Sequence, residues 1–150
     1  MHRPRTRFTF SLTFIMLLAT TSYSEEPKSV EWVTGYGTAR TLSAQSNRPV
    51  LLFMTTDHCV HCNRMKTSTL NDLSVQRSLR KDFVPAMING NENKMLAEKL
   101  RITLYPTTVI IAPDGRILEY IRGYVPTEDL RAKLAAATTQ LSQIASTQTR

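Results

Sequence analysis

Two cysteines separated by two residues carry the clearest chemical signal in this chain. Cys59 and Cys62 are its only cysteines. A disulfide between them closes a very short loop, so it constrains the unfolded chain little and is poorly suited as a structural cross-link. A pair at this spacing is better suited to alternate between dithiol and disulfide. We therefore predict a redox-active disulfide between Cys59 and Cys62.

The residues around the pair predict a junction between a strand and a helix. Residues 50–54 are apolar without interruption, which is typical of a strand covered on both faces. Residues 60–70 then continue as a helix. The free N–H groups and the dipole at a helix N-terminus stabilise a thiolate. Cys59 is therefore the predicted attacking thiol, and Cys62, one turn later, is the predicted resolving thiol.

The rest of the chain alternates helix and strand patterns. Helices are predicted over residues 37–47, 72–81, 94–100 and from Thr127, and strands over residues 83–88, 107–111 and 117–121. Pro85 favours an edge position or a bulge in its strand, because proline has no N–H for the ladder. This order predicts an α/β domain with a mixed central sheet and helices on both faces. We place this domain at residues 25–141, followed by a flexible C-terminal tail at 142–150.

Residues 1–24 have the pattern of an export signal. Three arginines in the first seven residues precede an apolar run over residues 8–19, and Ser22 and Ser24 fit a cleavage site before Glu25. The run is shorter than the ~20 residues of a spanning helix, so cleavage is favoured and a retained membrane anchor is the alternative. We expect a periplasmic or secreted protein with no stable membrane association after cleavage.

The charge of the chain gives little support to a nucleic-acid partner. The formal net charge of the 150 residues is +7. Removing the three arginines of the predicted signal lowers the excess to +4, because no acidic residue lies in that segment. We therefore expect no nucleic-acid binding, and a chain of this length suits one domain.

Two motifs resemble those of the thioredoxin superfamily, namely Cys59-Val60-His61-Cys62 and Tyr105-Pro106-Thr107. The similarity runs from about residue 32 to residue 134 and is greatest to the exported thioredoxin-like branch. It implies a thioredoxin fold and a thiol–disulfide oxidoreductase that acts on protein thiols and disulfides and on a redox partner. It also implies a cis proline at Pro106 that faces the disulfide, with the Tyr105 backbone docking the substrate. We expect a monomer without a cofactor.

Four residues depart from the thioredoxin pattern. Val60-His61 replaces Gly-Pro between the cysteines, Phe53 replaces a buried acid, and His58 replaces a tryptophan. An imidazolium at His61 would stabilise the thiolate and make the disulfide more oxidising. The alternative is that His61 is an exposed helix residue with little effect on the disulfide. His58 is predicted to face the substrate or solvent rather than to act as a base.

A metal site is the alternative interpretation of the same residues. His58, Cys59, His61 and Cys62 supply four metal-binding side chains within five positions. A zinc finger needs a second ligand pair, and the only other histidine is His2. We assign no metal to the site, and a copper-delivery module using the two cysteines remains the alternative function. Four methionines fit core packing better than metal binding: Met54, Met65, Met87 and Met95.

Overall fold

The computed structural model describes residues 29–148. The predicted export signal at residues 1–24 and its cleavage site before Glu25 lie outside this range. Within the described residues, no helix has the length and apolar character that crossing a membrane requires.

Five helices and four strands make up the described chain. In order they are α1 (Tyr36–Ser46), β1 (Val50–Thr55), α2 (Val60–Thr67), α3 (Leu73–Asp82), β2 (Val84–Asn89), α4 (Lys94–Lys99), β3 (Thr107–Ile111), β4 (Ile117–Arg122) and α5 (Thr127–Gln148). The strands form one sheet in the order β2-β1-β3-β4. β1 is parallel to β2 and antiparallel to β3, and β4 is antiparallel to β3. The predicted mixed sheet is confirmed.

β1 lies inside the sheet and is buried along its whole length. Leu51 and Phe53 face one apolar cluster, which also contains Cys62 of α2 and residues of α3 and α5. Leu52 and Met54 face a second cluster on the opposite side, with residues of α1 and α4. The uninterrupted apolar run is therefore explained by helices that cover both faces of the strand.

Pro85 lies in the edge strand β2, as predicted. A short stretch around Val33 pairs with this edge. The Val33 N–H donates to the Pro85 carbonyl at 2.9 Å, and the Met87 N–H donates to the Val33 carbonyl at 2.9 Å. Because a proline nitrogen has no hydrogen to donate, it is tolerated at an edge position but not within a central strand.

The prediction that Met95 packs in the core is wrong. Its side chain is 84% exposed, whereas Ala97 is the buried residue of α4. Two residues along a helix turn the side chain through about 200°, so Met95 and Ala97 lie on opposite sides. Met54 and Met65 are fully buried, and Met87 packs against the core.

The last helix extends past the predicted end of the domain. α5 continues to Gln148, so residues 142–148 are helical in the segment where we expected a flexible tail. Hydroxyl groups bond back to carbonyls one turn earlier, from Ser142 to Thr139 and from Thr147 to Gln143. Leu130 and Leu134 of α5 are buried in the apolar core.

Candidate active site

The two cysteines form a disulfide where β1 gives way to α2. Their Cα atoms are 5.2 Å apart. Cys59 is the N-cap residue of α2 and has an extended backbone, whereas Cys62 lies within the first turn. Cys62 is fully buried, and Cys59 is only partly buried. An incoming sulfur therefore reaches Cys59 more readily than Cys62.

Backbone groups at the start of α2 face the sulfur of Cys59. The Cys62 N–H donates a hydrogen bond to Cys59 Sγ at 3.2 Å. The first turn of α2 contains no acidic residue that would offset the positive end of the helix dipole. Because a hydrogen bond to an ionised group is stronger than one to a neutral group, both features favour the thiolate of Cys59.

Tyr105 and Pro106 lie at the same end of the sheet as the disulfide. Met54, near the end of β1, pairs with Thr107, the first residue of β3. The Tyr105–Pro106 peptide bond is cis. Pro106 is buried and its carbonyl accepts the Gly123 N–H at 2.7 Å. Tyr105 and Cys59 both pack against the cluster that contains Cys62.

Gly90 provides the space that the Tyr105 side chain occupies. A Cβ atom added at Gly90 would lie 2.3 Å from Tyr105 Oη and 2.7 Å from the nearest ring carbons. The Gly90 N–H donates to the Thr55 carbonyl at 2.7 Å, which fixes this loop to the end of β1. Residues 89–93 lie between the predicted strand at 83–88 and the predicted helix at 94–100, and local sequence patterns did not predict this contact; Gly90 itself was the one available signal.

A carboxylate joins the loop before Cys59 to the loop after β2. Asp57 accepts hydrogen bonds from the amide groups of Asn89 at 2.8 Å and Asn91 at 3.2 Å. The side-chain oxygen of Asn89, Oδ1, in turn accepts a hydrogen bond from the backbone N–H of Asn91 at 2.9 Å. Sequence reasoning did not identify these residues, because their contact joins positions more than thirty residues apart.

Both histidines near the disulfide are exposed. His58 has a φ of 55°, in the left-handed region that residues with a Cβ rarely adopt. Over the part of the chain that the structure describes, neither His58 nor His61 has a hydrogen bond to a cysteine sulfur. Any effect of His61 on the sulfurs is therefore an electrostatic effect of its charge and not a hydrogen bond.

The far end of α2 is held by an aromatic contact. The Arg64 guanidinium lies over the Tyr124 ring, 4.3 Å from its centre. The neighbouring hydroxyl groups of Ser68 and, to a lesser extent, Thr69 lower the pKa of Tyr124, and the positive charge of Arg64 adds to the effect. This contact connects α2 to the segment that follows β4.

The described residues offer little support for a resident metal ion. Between residues 29 and 148, no three His, Cys, Asp or Glu side chains are grouped so that they could hold a metal. Metal binding here would rest on the two thiolates of Cys59 and Cys62 alone.

Comparison with known proteins assigns the fold. Residues 36–138 match the family described as thioredoxin-like domain, which covers more than half of the chain. The chain belongs to the thioredoxin-like family. With its cysteine pair joined as a disulfide, this thioredoxin-like chain is a thiol–disulfide oxidoreductase, and the predicted fold and enzyme class are confirmed.

Solved structures of the same fold include thioredoxins and Dsb proteins. A thioredoxin from Thermus thermophilus is 28% identical with a TM-score of 0.66, and the match covers 72% of this chain and 86% of that chain. A protein described as DsbH oxidoreductase is 20% identical with a TM-score of 0.64, covering 75% and 86%. The C-terminal domain of Neisseria meningitidis DsbD in the oxidised form is 18% identical with a TM-score of 0.56, covering 67% and 93%. A comparison with curated protein sequences gives no match.

Proposed function

We propose that this chain is an exported oxidoreductase that exchanges disulfides with protein substrates through Cys59-Val60-His61-Cys62. The observation that carries the proposal is the position of Cys59 Sγ at the N-terminus of α2. It accepts the Cys62 N–H at 3.2 Å and is more accessible than the fully buried Cys62. This environment favours a thiolate at Cys59, which is the form that attacks a disulfide.

The exchange proceeds in two displacement steps. In the first, the Cys59 thiolate attacks a substrate disulfide, forms a mixed disulfide and releases one substrate thiolate. In the second, the Cys62 thiolate attacks Cys59 Sγ, which forms the Cys59–Cys62 disulfide and releases the second substrate sulfur with its electron pair. The substrate is reduced by two electrons and the protein is oxidised by two. The reverse sequence oxidises a substrate dithiol.

The proposed docking element is the Tyr105–Pro106 segment, and His58 is proposed to contact the substrate from the loop before Cys59. Two apolar side chains border this region of the surface. Val60 is 77% exposed beside the disulfide, and Leu104 is 51% exposed just before Tyr105. An extended substrate segment with apolar residues near its cysteine suits these contacts, because their burial on binding is favourable.

Export is proposed from the basic and apolar pattern of residues 1–24, with cleavage before Glu25. A periplasmic or extracellular site suits a protein whose cysteines act on disulfides, because disulfides persist in oxidising compartments. We propose that the mature chain is a monomer without stable membrane association, and that its partners are protein thiols, protein disulfides and one redox partner.

Mixed-disulfide capture tests the two cysteine roles. Cys62→Ser removes the resolving thiol and leaves Cys59 able to attack, so this variant is expected to accumulate covalent complexes with disulfide-containing proteins. Cys59→Ser removes the accessible sulfur and is expected to form none. Non-reducing electrophoresis followed by mass spectrometry of the complexes, with the double variant as the control, measures both outcomes. Equal capture by the two single variants would contradict the assignment.

His61 is proposed to make the disulfide more oxidising than that of thioredoxin, for which the potential is about −270 mV. A positive charge near the Cys59 thiolate stabilises the reduced form. His61→Gln is expected to shift the equilibrium potential by about 20–30 mV toward more reducing values. Equilibration with glutathione measures the shift. Lys66→Gln, which removes a charge from the far end of α2, is the control, and an equal shift in both variants would rule out a specific effect of His61.

A further inference from the structure

Two buried hydroxyl groups at the disulfide end of the sheet have no hydrogen-bond partner among residues 29–148. They are the Oγ1 atoms of Thr55 and Thr108, here called the hydroxyl pair. Thr55 is 6% exposed and Thr108 is 1% exposed. Buried polar groups in folded proteins are nearly always hydrogen-bonded, so a group that is not requires a specific explanation.

The strand register places the hydroxyl pair on the same face of the sheet as Cys62. Phe53 of β1 pairs with Thr108 of β3, and paired residues share a face. Phe53 and Cys62 pack in one cluster, so Thr108 lies on the face of the sheet that α2, α3 and α5 cover. Thr55 lies two residues after Phe53 in the same strand and therefore faces the same side.

No other buried polar side chain in the described chain is free to interact with Cys62. The buried polar residues are all serine or threonine, namely Ser43, Thr55, Thr69, Thr107 and Thr108. Ser43, Thr69 and Thr107 already donate their hydroxyl groups to backbone carbonyls. The charged groups at this end of the sheet are exposed, namely Asp57 and His58 before α2, His61 and Arg64 on α2, and Arg122 at the end of β4.

We propose that the hydroxyl pair consists of positioning residues that stabilise the Cys62 thiolate when the disulfide opens. This inference rests on the proposed resolving role of Cys62. Before Cys62 attacks the mixed disulfide, its thiol loses a proton to water in a buried apolar site, which disfavours the charge. A hydroxyl that donates a hydrogen bond to the sulfur offsets this loss of solvation. The hydroxyl groups are neither oxidised nor consumed.

If the hydroxyl pair acts on Cys62, its removal changes only the second of the two phases of disulfide exchange. We suggest mixing the reduced protein with an aromatic disulfide whose thiolate product absorbs visible light. Attack by Cys59 releases the first thiolate, and attack by Cys62 on the resulting mixed disulfide releases the second. In the Thr55→Val/Thr108→Val variant, the first phase is expected to keep its rate. The second phase is expected to slow about tenfold or more at neutral pH, and its pH midpoint to rise by about one unit.

Three further variants separate this role from a structural one. Thr55→Ser/Thr108→Ser keeps both hydroxyl groups and is expected to restore the second phase. Thr69→Val removes a buried hydroxyl that is bonded to the Val125 carbonyl at 2.7 Å, and is expected to leave both phases unchanged. If the double variant does not fold, the same two phases are measured with Thr108→Val alone. Because valine removes unpartnered hydroxyls, the oxidised valine variants are expected to keep or raise their melting temperature.

The outcomes distinguish this inference from the proposed function. A valine variant with a normal first phase and an unchanged second phase would overturn the role of the hydroxyl pair and leave the cysteine roles intact. A wild-type protein in which Cys62 rather than Cys59 releases the first thiolate would instead overturn the proposed function.

Discussion

Replacing Phe53 by aspartate is expected to lower the free energy of unfolding by about 4 kcal/mol or more. Phe53 is fully buried between Met87 of β2 and Thr108 of β3, inside the apolar cluster that includes Cys62. Aspartate removes the aromatic packing and introduces a carboxyl group among side chains that provide no charged partner.

Urea unfolding of the oxidised protein measures this loss of stability. Phe53→Leu is the matched control, because it keeps an apolar side chain and is expected to lower the free energy of unfolding by only about 1 kcal/mol. An aspartate variant as stable as the leucine variant would show that the cluster accommodates an acid, and the apolar environment assigned to Cys62 would then be wrong.

The Gly90→Ala variant is expected to weaken substrate binding and to lower stability by ~1–3 kcal/mol. The added methyl group would lie 2.3 Å from Tyr105 Oη, so either the Tyr105 ring or the loop that contains Gly90 must move. Movement of Tyr105 disturbs the proposed docking segment and leaves the sulfurs of Cys59 and Cys62 in place. KM for a protein substrate is therefore expected to rise more than kcat falls.

Gly37→Ala provides the control for this substitution. Gly37 lies in α1, and a Cβ atom added there would meet nothing within 4 Å. Alanine is the better helix former, so this variant is expected to gain ~0.5–1 kcal/mol of stability and to keep the wild-type KM. Equal effects of Gly37→Ala and Gly90→Ala on KM would contradict the proposed contribution of Tyr105 to substrate binding.

Local patterns in the sequence were sufficient to predict the elements that position the disulfide. The apolar run of β1, the edge position of Pro85 and the start of α2 at Cys59 each follow from residues close together in the chain. The helix α4 was less predictable. It spans only six residues, too few for periodicity to show that Ala97 rather than Met95 faces the core.

Contacts between distant parts of the chain could not be predicted in the same way. The space that Gly90 leaves for Tyr105 and the hydrogen bonds of Asp57 with Asn89 and Asn91 depend on how two loops meet at one end of the sheet. The unpartnered hydroxyl of Thr108 likewise depends on the register between β1 and β3. Sequence periodicity identifies the strands but does not fix such a register between them.

The order in which the two reduced cysteines react with an alkylating agent tests the central claim most directly. Brief treatment of the reduced protein with iodoacetamide at mildly acidic pH, followed by peptide mapping, measures the modified fraction at each sulfur. We predict modification at Cys59, whose sulfur is accessible and faces the N-terminus of α2, with Cys62 left largely unmodified. Preferential modification of Cys62, or equal modification of the two, would contradict the account.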